Sequence, residues 1–219
     1  MEKNINEEFL LEPNGGEIIG KKVLIATLYS PDPVLLASTK LGPDRLILLI
    51  DNKPSEEQEA SLKLIQNSLG KVIEVKAVKT DVYDIVKVAT KCVEVIDMQP
   101  ADDWIFVNIT SGRKTKAIGL LFAAYARHER VKKIAYNPVE DKTAVVYLPR
   151  LSFHLTENQK KILEYVDAGQ YCSISDLAKK IDNISTAMLY RAVDELKDMD
   201  LISTEDGLKL TDAGKIARL

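Results

Sequence analysis

The stretch Trp104-Ile105-Phe106-Val107-Asn108-Ile109-Thr110-Ser111-Gly112-Arg113-Lys114-Thr115-Lys116 decides how the rest of the chain is read. Its first four residues are apolar and mostly aromatic or β-branched. They are too few for a buried helix and fit a strand. The polar residues from Asn108 to Gly112 break the run. Then Ala117, Ile118, Leu121, Phe122, Ala124 and Tyr125 recur at helical spacing, which predicts a helix of about four turns. Strand, glycine-containing turn and helix in that order place free N–H groups and a positive helix end at the carboxyl edge of a sheet. Open α/β sheets bind anions at such an edge. Arg113, Lys114 and Lys116 add positive charge there, and Thr110 and Ser111 add hydroxyls. Cations sit poorly in the first turn of a helix, where the dipole favours acids, so three of them argue for an anionic ligand. The plainer alternative is a βα turn capped by Ser111, with a solvated basic first turn.

Working outward, the same alternation recurs on both sides. Val23 to Leu28 is a buried-strand run, closed by Tyr29-Ser30-Pro31-Asp32-Pro33. Ser30 is the expected cap of a short helix over Val34 to Thr39. Arg45 to Ile50 reads as a second strand, and Ser55 opens a helix with Leu62, Ile65 and Leu69 inward until Gly70. Val72 to Val78 is a third strand, followed by a helix that Asp81 is expected to cap. Its inward positions are Ile85, Val86, Val88, Ala89, Val93 and Ile96. After the central stretch come strands at Lys133 to Tyr136 and Ala144 to Leu148. The intervening turn, Glu140-Asp141-Lys142, is too short for a crossover, so this pair should be antiparallel. Strands alternating with helices imply a mostly parallel sheet covered on both faces. The exits of the first and fourth strands can then lie side by side where strand order reverses.

Near Pro149 the pattern changes. A capping sequence, Thr156-Glu157-Asn158-Gln159, opens a helix with Ile162, Leu163 and Val166 inward. Ser173 to Ile181 is a second, short helix. Ser185 opens a third, with Leu189, Val193 and Leu196 inward, and Asp206-Gly207 joins two short strands. Helix, helix, turn, helix and hairpin is the order of a winged helix-turn-helix, whose third helix enters a major groove. Ser185, Thr186, Tyr190 and Arg191 are the candidate DNA contacts. The expected fold class is α/β: a Rossmann-like, mostly parallel sheet with an antiparallel edge hairpin, plus a C-terminal winged helix-turn-helix domain. The expected divisions are an N-terminal leader at 1–21, a ligand-sensing and dimerisation domain at 22–149, and the winged helix at 150–219. In the leader, Pro13-Asn14-Gly15-Gly16 would suit a hairpin or a loosely held segment.

Bulk properties narrow the function. The 219 residues are 46% hydrophobic and 29% charged with a net charge of −3, as in a soluble globular protein. That charge excludes a strong general attraction to nucleic acid or anionic membrane, so any basic site is local. Two cysteines, Cys92 and Cys172, with no Cys-x-x-Cys, fit a reducing cytoplasm and give neither a disulfide framework nor a zinc site. His128 and His154 are the only histidines, which leaves few ligands for metal or bases for catalysis. No metal and no cofactor are expected. No apolar run has bilayer length and no signal core opens the chain, so membrane insertion and secretion are not expected either.

With both halves in view, the chain resembles the CRISPR-associated Rossmann-fold (CARF) regulators that carry a C-terminal winged helix. The resemblance covers nearly everything from Lys22 onward. Its most specific element is Asn108-Ile109-Thr110-Ser111-Gly112-Arg113-Lys114, similar to the family's Asn-x-Thr-Gly-Gly-x-Lys; Ser111 departs from the first glycine and limits positive φ there. A second family site falls on Thr27, Leu28, Tyr29 and Ser30. The resemblance implies a homodimer formed through the CARF domain, with cyclic oligoadenylate, usually the tetramer, bound across the two-fold axis. Its implied ligand residues are Thr27, Tyr29, Ser30, Asn108, Thr110, Ser111, Gly112, Arg113 and Lys114. Lys114 and Arg113 would take phosphate or ribose oxygens, Thr110 and Gly112 would donate hydrogen bonds, and Asn108 would orient the turn or meet an adenine edge. Tyr29 would stack on adenine. Lys116 is expected to be solvated.

The implied function is a transcription regulator of a CRISPR-Cas system, sensing cyclic oligoadenylate and binding double-stranded DNA. One alternative is a slow ring nuclease using Ser30 and Lys114, in which a ligand 2′-hydroxyl attacks its own phosphate. Another is a winged helix that contacts protein. From Leu151 to Leu219 there are nine Lys and Arg against twelve Asp and Glu, which is unfavourable for phosphate binding. A separate ribonuclease module is not indicated, because Arg150 and His154 are too close for the family's Arg-x(4–6)-His motif. No Gly-x-Gly-x-x-Gly follows the first strand, so a dinucleotide site is not indicated.

Overall fold

The computed structural model describes residues 20–138, 141, 144–152 and 154–219. Most of the expected leader and the residues Glu140 and Lys142 of the expected turn lie outside them. The chain runs β1 (Lys22–Thr27), α1 (Asp32–Leu41), β2 (Arg45–Asp51), α2 (Glu56–Leu69), β3 (Glu74–Thr80), α3 (Ile85–Asp97), β4 (Trp104–Asn108) and α4 (Lys114–Ala126). Then follow β5 (Val131–Tyr136), β6 (Val146–Leu148), α5 (Glu157–Ala168), α6 (Ile174–Ala178), α7 (Thr186–Asp198), β7 (Ile202–Ser203), β8 (Lys209–Leu210) and α8 (Asp212–Ala217).

The large sheet has the order β3-β2-β1-β4-β5-β6. β1 to β5 are parallel and β6 is antiparallel to β5. Strand order reverses at the β1–β4 pair, where Ala26 lies opposite Asn108. Both faces of the central strands are covered, which is why they read as continuous apolar runs. Val23, Ile25, Ile47, Leu49, Ile105 and Val107 face α3 and α4. Leu24, Ala26, Leu46, Leu48 and Phe106 face α1 and α2. Helices α3 and α4 approach closely because Gly119 has no Cβ; one built there would stand 2.6 Å from Val88 Cγ1. The free edge at β3 carries exposed Lys76 and Lys79, charges that discourage edge pairing.

A third apolar cluster joins α5, α6, α7 and the β7–β8 hairpin through Ile162, Leu163, Leu177, Leu189, Val193, Leu196 and Leu208. The hairpin turns at Gly207, φ +84°. Helix α8, which the sequence reading did not anticipate, lies against α3, and Leu219 packs into the α3–α4 side of the sheet core.

Local signals explain most helix starts and two corrections. Ser55, Thr156 and Ser185 each accept from the backbone N–H three residues on, and Thr156 with Gln159 forms a reciprocal capping box. Ser30, however, does not cap α1; the N-cap is Pro31, and no side chain caps it. Asp81 does not cap α3. It accepts from Tyr83 N and Asp84 N at 2.8 Å each, closing an Asx turn, and Asp84 takes the cap position. β3 also begins and ends two residues later than expected.

Candidate functional site in the β1–β4 crevice

The loops leaving β1 and β4 are fastened to each other by Ser111. Its hydroxyl accepts from Tyr29 N at 2.8 Å and Ser30 N at 3.0 Å, and donates to Ser30 O at 3.1 Å. The buried Thr27 hydroxyl donates to Ser111 O. The side chain found where the family resemblance has glycine is therefore the fastener between the two loops. It does not sit at positive φ; within this loop Gly112 does, at +88°. A Cβ on Gly112 would stand 3.2 Å from Thr27 Cβ, so both backbone angle and space require glycine. Ser111 is not the cap of α4, whose N-cap is Arg113 without a side-chain capping bond. Among the described residues no side chain bonds the N–H groups of Lys114 and Thr115 at the start of this helix.

Behind the loop lies a polar bracket. Asn108 is fully buried, accepts from Thr110 N at 3.1 Å, and donates to Asn137 Oδ1 at 2.7 Å. The Thr110 hydroxyl accepts from Asn137 N at 2.7 Å and donates to Asn137 Oδ1 at 3.1 Å. Thr27, Asn108 and Thr110 thus spend their polar atoms on holding the loops. Asn137, just past β5, was not singled out from the sequence, and nothing local marks it.

Lys116 overturns an expectation. Expected in solvent, it is fully buried, with its ammonium on Asp51 Oδ1. Its position explains this: Lys116, Gly119, Leu120 and Ala123 fall on one stripe of α4, turned toward the sheet. Asp51, at the carboxyl end of β2, also accepts from Arg113 Nε at 3.0 Å on Oδ2. Gln58 fixes the strand end, accepting from Asp51 N at 3.0 Å and donating to Leu28 O at 2.6 Å. Burial would raise the pKa of Asp51, but the bonds from Lys116 and Arg113 outweigh it and hold the carboxyl below its ordinary value. Burial pulls the Lys116 pKa down against the opposing pull of Asp51, and burial pushes the Cys92 thiol up to about 12. Cys92 is therefore an inert core residue.

The solvent side of the crevice differs in kind. Lys114 is exposed and has no hydrogen-bond or ion-pair partner among the described residues. Arg113 has 47% of its side chain exposed, and its bond to Asp51 raises its pKa above the ordinary value. Tyr83 is 88% exposed on the Asx turn after β3; the sequence reading missed it. Exposed Lys114, half-exposed Arg113, aromatic faces and backbone N–H groups together suit a phosphate-bearing aromatic ligand.

The candidate DNA contacts lie elsewhere, on α7. Ser185 is its N-cap and Thr186 is exposed. Tyr190 places its hydroxyl 2.9 Å from Ser175 Oγ. Arg191 pairs with Glu195 at 3.0 Å, one turn on. Met188 is also exposed on this helix.

Known structures are similar to this chain. Csm6 of Enterococcus italicus, bound to cyclic hexa-2′-fluoro-hexa-dAMP, is similar with a TM-score of 0.50 and 14% identity, over 84% of this chain and 57% of that one. Can2 of Sulfobacillus thermosulfidooxidans, in complex with cyclic tetra-adenylate, gives 0.48 and 16%, over 90% of this chain and 63% of that one. The chain thus spans less than two thirds of either neighbour. Csm6 is a CARF-domain protein, and the likeness supports a CARF fold. No curated protein matches the sequence. Residues 23–141, more than half of the chain, match the family described as HFX_2341_N:-like, N-terminal, and the chain belongs to that family.

Proposed function

We infer that this protein is a cytoplasmic, homodimeric sensor of cyclic oligoadenylate in CRISPR defence, and that it regulates transcription through DNA contacts made by its C-terminal part. Residues 22–149 form the sensing and dimerisation domain in this reading, and 150–219 a winged helix. The observation that carries it is the β1–β4 crevice, where exposed Lys114, without a partner among the described residues, and half-exposed Arg113 follow Gly112 in the loop that Ser111 fastens to Tyr29. A ring of phosphates and adenines needs cations, backbone donors and aromatic faces in one concave place. The ligands named for Csm6 and Can2 belong to the same chemical class. Ser111 and Thr27 would keep the two loops in register, and Tyr29 and Ser30 would cover the side opposite Lys114.

A thermal-shift panel of cyclic tri-, tetra- and hexaadenylate tests this. One ring should raise the melting temperature of the protein and leave that of Lys114→Ala unmoved. No shift with any ring size would refute the sensing role.

A second reading has its own support: the C-terminal part contacts protein rather than DNA. Arg191 is tied to Glu195, Met188 is 53% exposed, and acids outnumber cations from Leu151 onward. A gel shift with nonspecific duplex at low salt separates the readings. Retarded duplex supports the regulator, and its absence supports the protein contact.

A further inference from the structure

The charges beneath the crevice are arranged in a way the ligand reading does not by itself explain. Asp51 holds Arg113 by Nε alone. Among the described residues, neither Nη nitrogen of Arg113 meets an acceptor. The second oxygen of Asp51 is taken by Lys116. One carboxylate and two cations leave a net charge of +1. That charge surfaces on Arg113, since the side chains of Lys116 and Asp51 are 0% and 5% exposed. Without Lys116, Asp51 would cancel the charge it positions.

We propose that Asp51 is a positioning residue for anion recognition: it fixes Arg113 through Nε and leaves both Nη groups for an oxyanion, while Lys116 beneath neutralises Asp51 so that Arg113 acts as an uncompensated cation. A guanidinium fork held at its third nitrogen loses little freedom when it binds two oxygens of a phosphate. Gln58 completes the arrangement by tying Asp51 N to Leu28 O across β1 and β2. A buried Lys–Asp pair contributes little net stability against apolar replacements, which leaves a recognition role as the reason to keep it. The proposal builds on the crevice being the ligand site, but it requires only that the ligand carry phosphate.

The test uses tripolyphosphate as the probe, titrated calorimetrically into four versions of the full chain, each first shown to be folded by circular dichroism. Lys116→Met leaves Asp51 opposing Arg113, and affinity should fall about tenfold, with the gap closing as salt screens it. The pair Asp51→Asn with Lys116→Met removes both buried charges but keeps an acceptor for Arg113 Nε, and should recover most of the lost affinity. Asp51→Ala with Lys116→Met has the same charge and no acceptor. It should remain weak at every salt concentration, which a merely structural role for Asp51 would not produce. Wild-type protein that ignores tripolyphosphate, Lys116→Met that binds normally, or an alanine double variant equal to the asparagine one would each overturn the proposal. If the four proteins order as expected yet none binds a cyclic oligoadenylate, the charge device stands and the messenger reading falls.

Discussion

The crevice at the β1–β4 switch and the outer face of α7 are both candidate polyanion sites, and they are built in opposite ways. In the crevice, the charges beneath the surface are buried and paired, as Lys116 is with Asp51, while Lys114 faces solvent with no partner among the described residues. On α7 the order is reversed: Arg191 is 84% exposed yet paired with Glu195 on the same helix. The first site is assembled by tertiary structure from the ends of β1, β2 and β4 and the start of α4. The second is a single helix with one local ion pair of the kind that contributes about 0.3–0.5 kcal/mol. The crevice can be damaged from beneath through Asp51 and Lys116, whereas Arg191 depends chiefly on a partner exposed on its own helix.

Substitutions can break or sharpen that contrast. The largest effect belongs under the crevice: Lys116→Ala leaves the Asp51 carboxylate buried without one of its two cations, and stability in urea should fall by about 3–5 kcal/mol. An ordinary surface-sized loss would return Lys116 to solvent. Gly112→Val forces a β-branched residue to φ +88° against Thr27, at a cost of about 1–3 kcal/mol. A neutral result by thermal melting would mean that the loop has another geometry. Ser185→Ala removes the α7 cap bond to Met188 N and should cost about 1 kcal/mol. Arg191→Ala should move stability by less than about 0.5 kcal/mol while weakening duplex binding in a gel shift. Unchanged duplex affinity would favour the protein-contact reading of α7.

Acid gives a further contrast. The folded-state pKa of Asp51 lies below its ordinary value of 3.8. Its contribution to stability is therefore complete above that value and is lost as pH falls through the lower, folded one. The wild type should lose more urea resistance between pH 4 and pH 2 than the Asp51→Asn, Lys116→Met protein. Parallel decline of the two would dissociate Asp51 from the acid response.

Much of this was legible in the residues. β1, β2 and β4 are buried on both faces and their apolar runs were plain; the hairpin turn at Gly207 and the caps at Ser55, Thr156 and Ser185 are local and were read locally. The switch-point crevice followed from the polar exits of β1 and β4. What escaped depends on distance along the chain. Asp51 and Lys116 are separated by 65 residues, and a lysine beside two other cations looks like solvent-facing charge until the stripe it shares with Gly119, Leu120 and Ala123 is counted. Asn137 is invisible for the same reason, because its partners Asn108 and Thr110 lie on another strand's exit. The misplaced cap of α3 has a different cause: Asp81 and Asp84 are both good caps, three residues apart, and only backbone geometry selects between them.

The central claim is that two copies of the crevice share one cyclic, phosphate-bearing ligand through Lys114. Isothermal titration of cyclic tetraadenylate into the wild type and Lys114→Ala tests it most directly. The account predicts one ring per two chains in the wild type, and heat lost from the variant while its melting temperature without ligand stays the same. One ring per single chain, or undiminished binding without Lys114, would contradict it.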